Sequence, residues 1–172
     1  MLCTLMLVAL GSFGLAECSV QNPTLTPCSD GDKITISDVA IQDAQIGKTM
    51  RANFTLIIRE SLESDPTLKL TITTAEGNEV GCYGSVGSCP YKMCGGTSTV
   101  EQLLGQEWDN TCPVPKMTSR ISVDLPLPNF VESLIGTAPT TINFELDVID
   151  RGSSVGCESF DVDIKAEDED NE

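Results

Sequence analysis

The chain contains no histidine. That absence excludes Ser-His-Asp and Cys-His catalysis and most catalytic zinc sites, because imidazole serves as base or ligand in each. Basic residues are scarce as well, ten Lys and Arg against 26 Asp and Glu, for a formal net charge of −16. With no basic patch and no basic residues interleaved with aromatics, a nucleic-acid partner is excluded. At neutral pH such a chain is repelled by anionic membranes. Glycine loops that would cradle a phosphate are missing, and Gly95-Gly96 alone is a turn signal. There is no Cys-x-x-Cys redox motif. Beyond residue 16, no apolar run is long enough to cross a bilayer. Paired carboxylates of the glycosidase type are the acid-base chemistry left. Most acids, however, fall on the polar phase of alternating segments or in the run AEDEDNE at 166–172, where a solvated face accounts for them. The sequence therefore predicts a protein that is not an enzyme and holds no metal or cofactor.

What is present begins with MLCTLMLVALGSFGLA, an uncharged apolar stretch at 1–16 ending in small residues. It reads as a secretory signal peptide cleaved near Ala16, too short for a membrane span. A lipoprotein signal fits poorly, because Glu17 precedes Cys18. The remaining length suits one domain with a hydrophobic core. The expected division is a mature amino-terminal segment at 17–27, a domain at 28–165 and an acidic disordered tail at 166–172. Asn53-Phe54-Thr55 is an N-glycosylation acceptor, whereas Pro23 disqualifies Asn22-Pro23-Thr24.

The stretch VGCYGSVGSCPYKMCGG at 80–96 holds Cys82, Cys89 and Cys94, with Cys112 beyond. These spacings do not match the short knuckles of structural zinc sites. In the oxidising compartment that a signal peptide implies, disulfides are the expected state. Loss of Cys3 with the signal leaves seven cysteines: Cys18, Cys28, Cys82, Cys89, Cys94, Cys112 and Cys157. One is left over, and Cys18 is the candidate, lying in what reads as a ragged amino terminus.

Period-two alternation dominates the rest. It runs through 34–36, 54–58, 68–72, 121–125, 142–148 and 160–164, with Gly, Pro, Asn and Asp clusters between the segments. Alternation gives each strand one buried and one wet face, and six or more such strands predict an all-β sandwich of two antiparallel sheets. In this phase Phe54, Leu56 and Ile58 face inward, and Asn53 and Thr55 face out. Ser98-x-x-Glu101 is a capping box opening one short helix between Cys94 and Cys112. Apolar residues also collect in loops: Leu103, Leu104 and Trp108, then Phe130, Leu134 and Ile135. They either cap an ordinary core or rim a cavity or membrane-contact surface.

Taken together, several stretches resemble the ML lipid-recognition family. They are Cys28, Asn53-Phe54-Thr55-Leu56, Cys82-x6-Cys89 with Cys94 after it, Gly87-Ser88-Cys89, Cys112-Pro113, Asp124-Leu125-Pro126-Leu127-Pro128-Asn129-Phe130 and Gly156-Cys157. Within that family the likeness is nearest to the lysosomal ganglioside activator. Two cysteines in the activator's loop between Cys94 and Cys112 have no counterpart here, and the loop is shorter, so ganglioside specificity does not carry over. The resemblance implies an immunoglobulin-like sandwich holding a lipid between its sheets, with Cys28 paired to Cys157, Cys82 to Cys89 and Cys94 to Cys112. It implies a carrier, secreted or in the lysosomal lumen, that takes a glycolipid, phospholipid or sterol from a membrane for transfer or presentation to a hydrolase. A lipid sensor or co-receptor binding a receptor ectodomain, in innate immunity or chemosensing, is the alternative. Phe54, Leu56, Ile58, Phe144, Leu146 and Val148 are expected to line the cavity, and Leu103, Leu104, Trp108, Phe130, Leu134 and Ile135 to lie near its mouth. Contact with the membrane would be transient and peripheral.

Overall fold

The computed structural model describes residues 19–63, 65–84 and 87–167. Segment 1–16, expected to be a signal peptide, Cys18, and residues 168–172 of the expected acidic tail lie outside the described residues. The alternating segments form long strands: β3 (Ile34–Gln42), β4 (Thr49–Ile58), β5 (Thr67–Thr73), β7 (Met117–Pro126), β8 (Thr140–Asp150) and β9 (Ser153–Ile164). Short edge strands complete the set, namely β1 (Val20–Gln21), β2 (Thr26–Pro27) and β6 (Pro90–Lys92). One sheet has the order β1-β3-β4-β7 and the other β2-β9-β8-β5-β6, with every strand pair antiparallel. This is the expected sandwich. Among the described residues two short α-helices are present rather than the single one expected: α1 (Thr99–Gly105) and, in the β7–β8 connection, α2 (Glu132–Ile135).

Strand alternation builds the core. On β8, Ile142, Phe144, Leu146 and Val148 are buried while their neighbours are half-exposed, and register places Val162 and Phe160 beside the first two. The disulfides are Cys28–Cys157, Cys82–Cys89 and Cys94–Cys112. The implied pairing is thus the one observed.

One lateral side of the sandwich is closed by backbone. Residues 20–27 cross from the four-stranded sheet to the five-stranded one, adding an edge strand to each. The terminus is therefore not ragged from Val20 onward. The Gln21 amide acts as an extra strand residue, donating to the Asp163 carbonyl at 2.7 Å and accepting from the Asp163 N–H at 2.9 Å. Toward the other end of these strands, β3 and β9 approach so closely that a Cβ on Gly156 would overlap the Ile34 carbonyl.

The opposite side is closed differently. Here β6, the edge of one sheet, connects to β7, the edge of the other, through a disulfide-bounded crossover that carries α1.

Candidate ligand cavity

Between the sheets, on the α1 side, lies an apolar cavity of about 80 Å³. The four-stranded sheet contributes Val39 and Ile41 of β3, Met50, Ala52 and Phe54 of β4, and Ile121, Val123 and Leu125 of β7. The five-stranded sheet contributes Leu68 and Leu70 of β5, Tyr91 of β6, Phe144 and Leu146 of β8, and Phe160 of β9. Val100 and Leu104 of α1 complete the wall. Register explains the layout. Met50, Ala52 and Phe54 pair with Leu125, Val123 and Ile121, so three cross-strand pairs present apolar groups to one space. Phe144 and Phe160 stack opposite them with ring centroids 5.6 Å apart.

Of the expected lining residues, Phe54, Phe144 and Leu146 lie in the wall, and Leu104 joins them from α1. Leu56, Ile58 and Val148 share the same inward faces but do not line the cavity. They are 2%, 1% and 0% exposed, because that half of the sandwich is filled.

The residues expected at the mouth separate. Leu103 is exposed on the outer side of α1. Trp108 is buried and donates its Nε1–H to the Met93 carbonyl at 2.6 Å, so it belongs to the packed base of the crossover. In the β7–β8 connection, Phe130 is 68% exposed, Leu134 half-buried and Ile135 buried, and none of them lines the cavity. The other twelve wall residues, Val39, Ile41, Met50, Ala52, Leu68, Leu70, Tyr91, Val100, Ile121, Val123, Leu125 and Phe160, are not among those the sequence singles out, although period-two phase marks most of the strand residues as inward.

Asn53 lies on the outer face of β4, paired with Ser122 and Ala40. It borders a groove with Asp38 and Arg120. It is half-buried, and Thr55, expected to face solvent, is buried.

Local chemistry fixes α1 in place. Ser98 caps the helix, and its Oγ accepts from the Glu101 N–H at 3.3 Å. The Glu101 carboxylate in turn accepts from the Thr97 and Ser98 N–H groups, both at 2.9 Å, and from the Lys92 N–H of β6 at 3.0 Å. The Lys92 and Ser98 amides are the largest causes that lower its pKa to about 2 from the usual 4.5. A depressed carboxylate stabilises the fold above its ordinary value, and that stabilisation is lost as pH falls from about 4.5 toward 2. The Lys92, Thr97 and Ser98 amide proton shifts should therefore titrate together with a midpoint near 2. Three amide midpoints near 4.5 would remove the carboxylate from this role.

Glu158 behaves in the opposite way. Register places it on the inward face, paired with Leu146, and burial raises its pKa. Its Oε2 is buried with no hydrogen-bond partner among the described residues. Desolvation is the cause of that rise. Asp124 is held low by its hydrogen bonds to Arg51 at 2.6 and 3.0 Å.

No protein-family model matches the chain, and no curated protein matches it. Solved structures similar to it include a Niemann-Pick type C2 protein from the Japanese carpenter ant, with TM-score 0.48 and 12% identity over 83% of this chain and 99% of that one. The C-terminal domain of wzt has TM-score 0.47 and 8% identity over 84% of this chain and 78% of that one. At these values neither likeness decides family or function, and the sandwich stands on its own strand pairing.

Proposed function

We propose that this protein is a lipid-binding carrier of the ML type, secreted or lysosomal, which withdraws a membrane lipid and shields its apolar portion between its two sheets. The observation that carries this reading is the inter-sheet cavity, whose wall is apolar from all three contributing layers apart from the Tyr91 hydroxyl. The driving force is transfer of apolar surface. Each CH2 leaving a bilayer for water costs about 0.8 kcal/mol, and an apolar cavity removes most of that cost. Absence of catalytic imidazole and of a basic surface agrees with a carrier that passes its cargo to a second membrane or to a hydrolase. The nearer likeness to the ganglioside activator rests on the sequence stretches alone.

Native mass spectrometry of the protein from its own secretory expression, followed by lipid extraction, tests the reading. A stoichiometric adduct that extracts into organic solvent is expected. A bare polypeptide mass, together with no uptake from vesicles, would favour a filled interaction domain.

A further inference from the structure

The cavity is small for what it is proposed to hold. Ligand sites for drug-sized molecules span roughly 300–1,000 Å³, against about 80 Å³ here. It must enlarge to take a lipid chain, and the ties around it differ in strength. Opposite α1, the two bonds between the Gln21 side-chain amide and the Asp163 backbone, and the close approach of Gly156 to Ile34, join the sheets. At one end, the Ile46 N–H donates to the Lys165 carbonyl at 3.0 Å and the Gly47 N–H to the Leu127 carbonyl at 2.7 Å. At the other end, Leu62 and Val114 exchange both of their backbone bonds at 2.9 Å.

The α1 side has no such seam. Among the described residues no hydrogen bond joins α1 to β7. Contact there is apolar, with Val100 and Leu104 sharing the cavity wall with Ile121 and Val123. Across to β6, Glu101 reaches over from the helix, accepting from the Lys92 N–H while holding the first turn through Thr97 and Ser98. The base beneath the helix is rigid. Cys94 is bonded to Cys112, the Asn110 side chain donates to the Gly96 carbonyl at 2.7 Å, and Trp108 is fixed to Met93. Glycines stand at both flanks of the helix, Gly96 before it and Gly105 at its last position.

We propose that α1 is the door of the cavity. Apolar ligands pass between the edges of β6 and β7 as the 97–105 turn lifts from β7, and Glu101 is the latch that sets how often it lifts. This rests on the reading of the cavity as a ligand site and adds the route and the residue that controls it. The latch is electrostatic, one carboxylate on three amides, and glutamine cannot replace it, because its NH2 would meet an N–H where an oxygen now accepts.

The test is stopped-flow uptake of N-phenyl-1-naphthylamine, which fluoresces in apolar surroundings, by the wild-type protein, Glu101→Gln and Thr99→Pro. Thr99 is the first helical residue and Ser98 before it is extended (φ −71°, ψ 158°), so proline fits there and pre-orders the latched turn. Glu101→Gln should speed both uptake and release about tenfold, as a barrier lower by about 1.4 kcal/mol would, with Kd changed less than threefold. Thr99→Pro should slow both. Ile34→Val, in the core on the far side, serves as a control that loosens the fold without touching the door, and should leave the rates unchanged. Wild-type rates in both α1 variants would overturn the door while the cavity reading stands. If Glu101→Gln does not fold, an unchanged rate in Thr99→Pro alone overturns it. Failure of the wild-type protein to take up the fluorophore at all would sink the cavity reading, and the door with it.

Discussion

Replacing Cys28 and Cys157 together by alanine should lower stability by about 4–5 kcal/mol, the chain-entropy value for a bridge between residues 129 apart. A domain of this size shifts roughly 2–4 °C per kcal/mol, so the Tm should drop by about 8–20 °C. That is a large share of the roughly 5–15 kcal/mol that holds an ordinary domain together. The Cys82–Cys89 bridge, seven residues apart, makes the internal comparison. Its double alanine variant should lose only about 2 kcal/mol on the same model. Melts of both variants under non-reducing conditions measure the ratio. Equal losses would mean that local strain or packing, rather than loop closure, governs both bridges.

The second large effect separates two aromatics that the sequence places in the same class. Trp108→Ala should cost about 3–5 kcal/mol, the usual loss for a buried large side chain. It also strands the Met93 carbonyl that the indole N–H now satisfies. Phe130→Ser should change stability by less than about 0.5 kcal/mol, as surface substitutions do, because the ring is 68% exposed. On the proposed carrier function, its effect should appear instead in lipid transfer between vesicles, where the exposed aromatic would supply membrane contact. Denaturant midpoints and transfer rates, read side by side, decide the matter. A Phe130 variant that unfolds easily, or one that transfers at the wild-type rate, would remove that residue from the membrane-contact role.

Both aromatics show where the sequence stops being legible. Alternation locates the six long strands, because burial of one face imposes a period of two wherever a strand has solvent behind it. The capping box at Ser98 and Glu101 locates α1, because its geometry is local. β1, β2 and β6 leave no such trace, since two or three residues cannot show a period. α2, a four-residue turn, is silent for the same reason. Phase tells which face of β4 is inward but not how far away the opposite sheet lies. Phe54 and Leu56 are therefore equivalent in sequence, while in the fold one borders a void and the other is packed solid. Trp108 and Phe130 both read as apolar residues in loops. Only the tertiary partner, a carbonyl for one and solvent for the other, separates them.

The crossing of residues 20–27 between the sheets has a consequence for synthesis. The partners of β2 and of the Gln21 amide are on β9, the last of the described strands in chain order. At about 5–20 residues per second, the 129 residues from Cys28 to Cys157 take roughly 6–26 s to emerge. Cys82 and Cys89 can close their short loop as soon as both have emerged, while the Cys28 thiol still waits without its native mate. Cys94 and Cys112 appear during the wait and compete for it. In an oxidising lumen the nascent chain is therefore a substrate for thiol–disulfide exchange, and the yield of native protein should depend on an isomerase far more than on the stability of the finished sandwich.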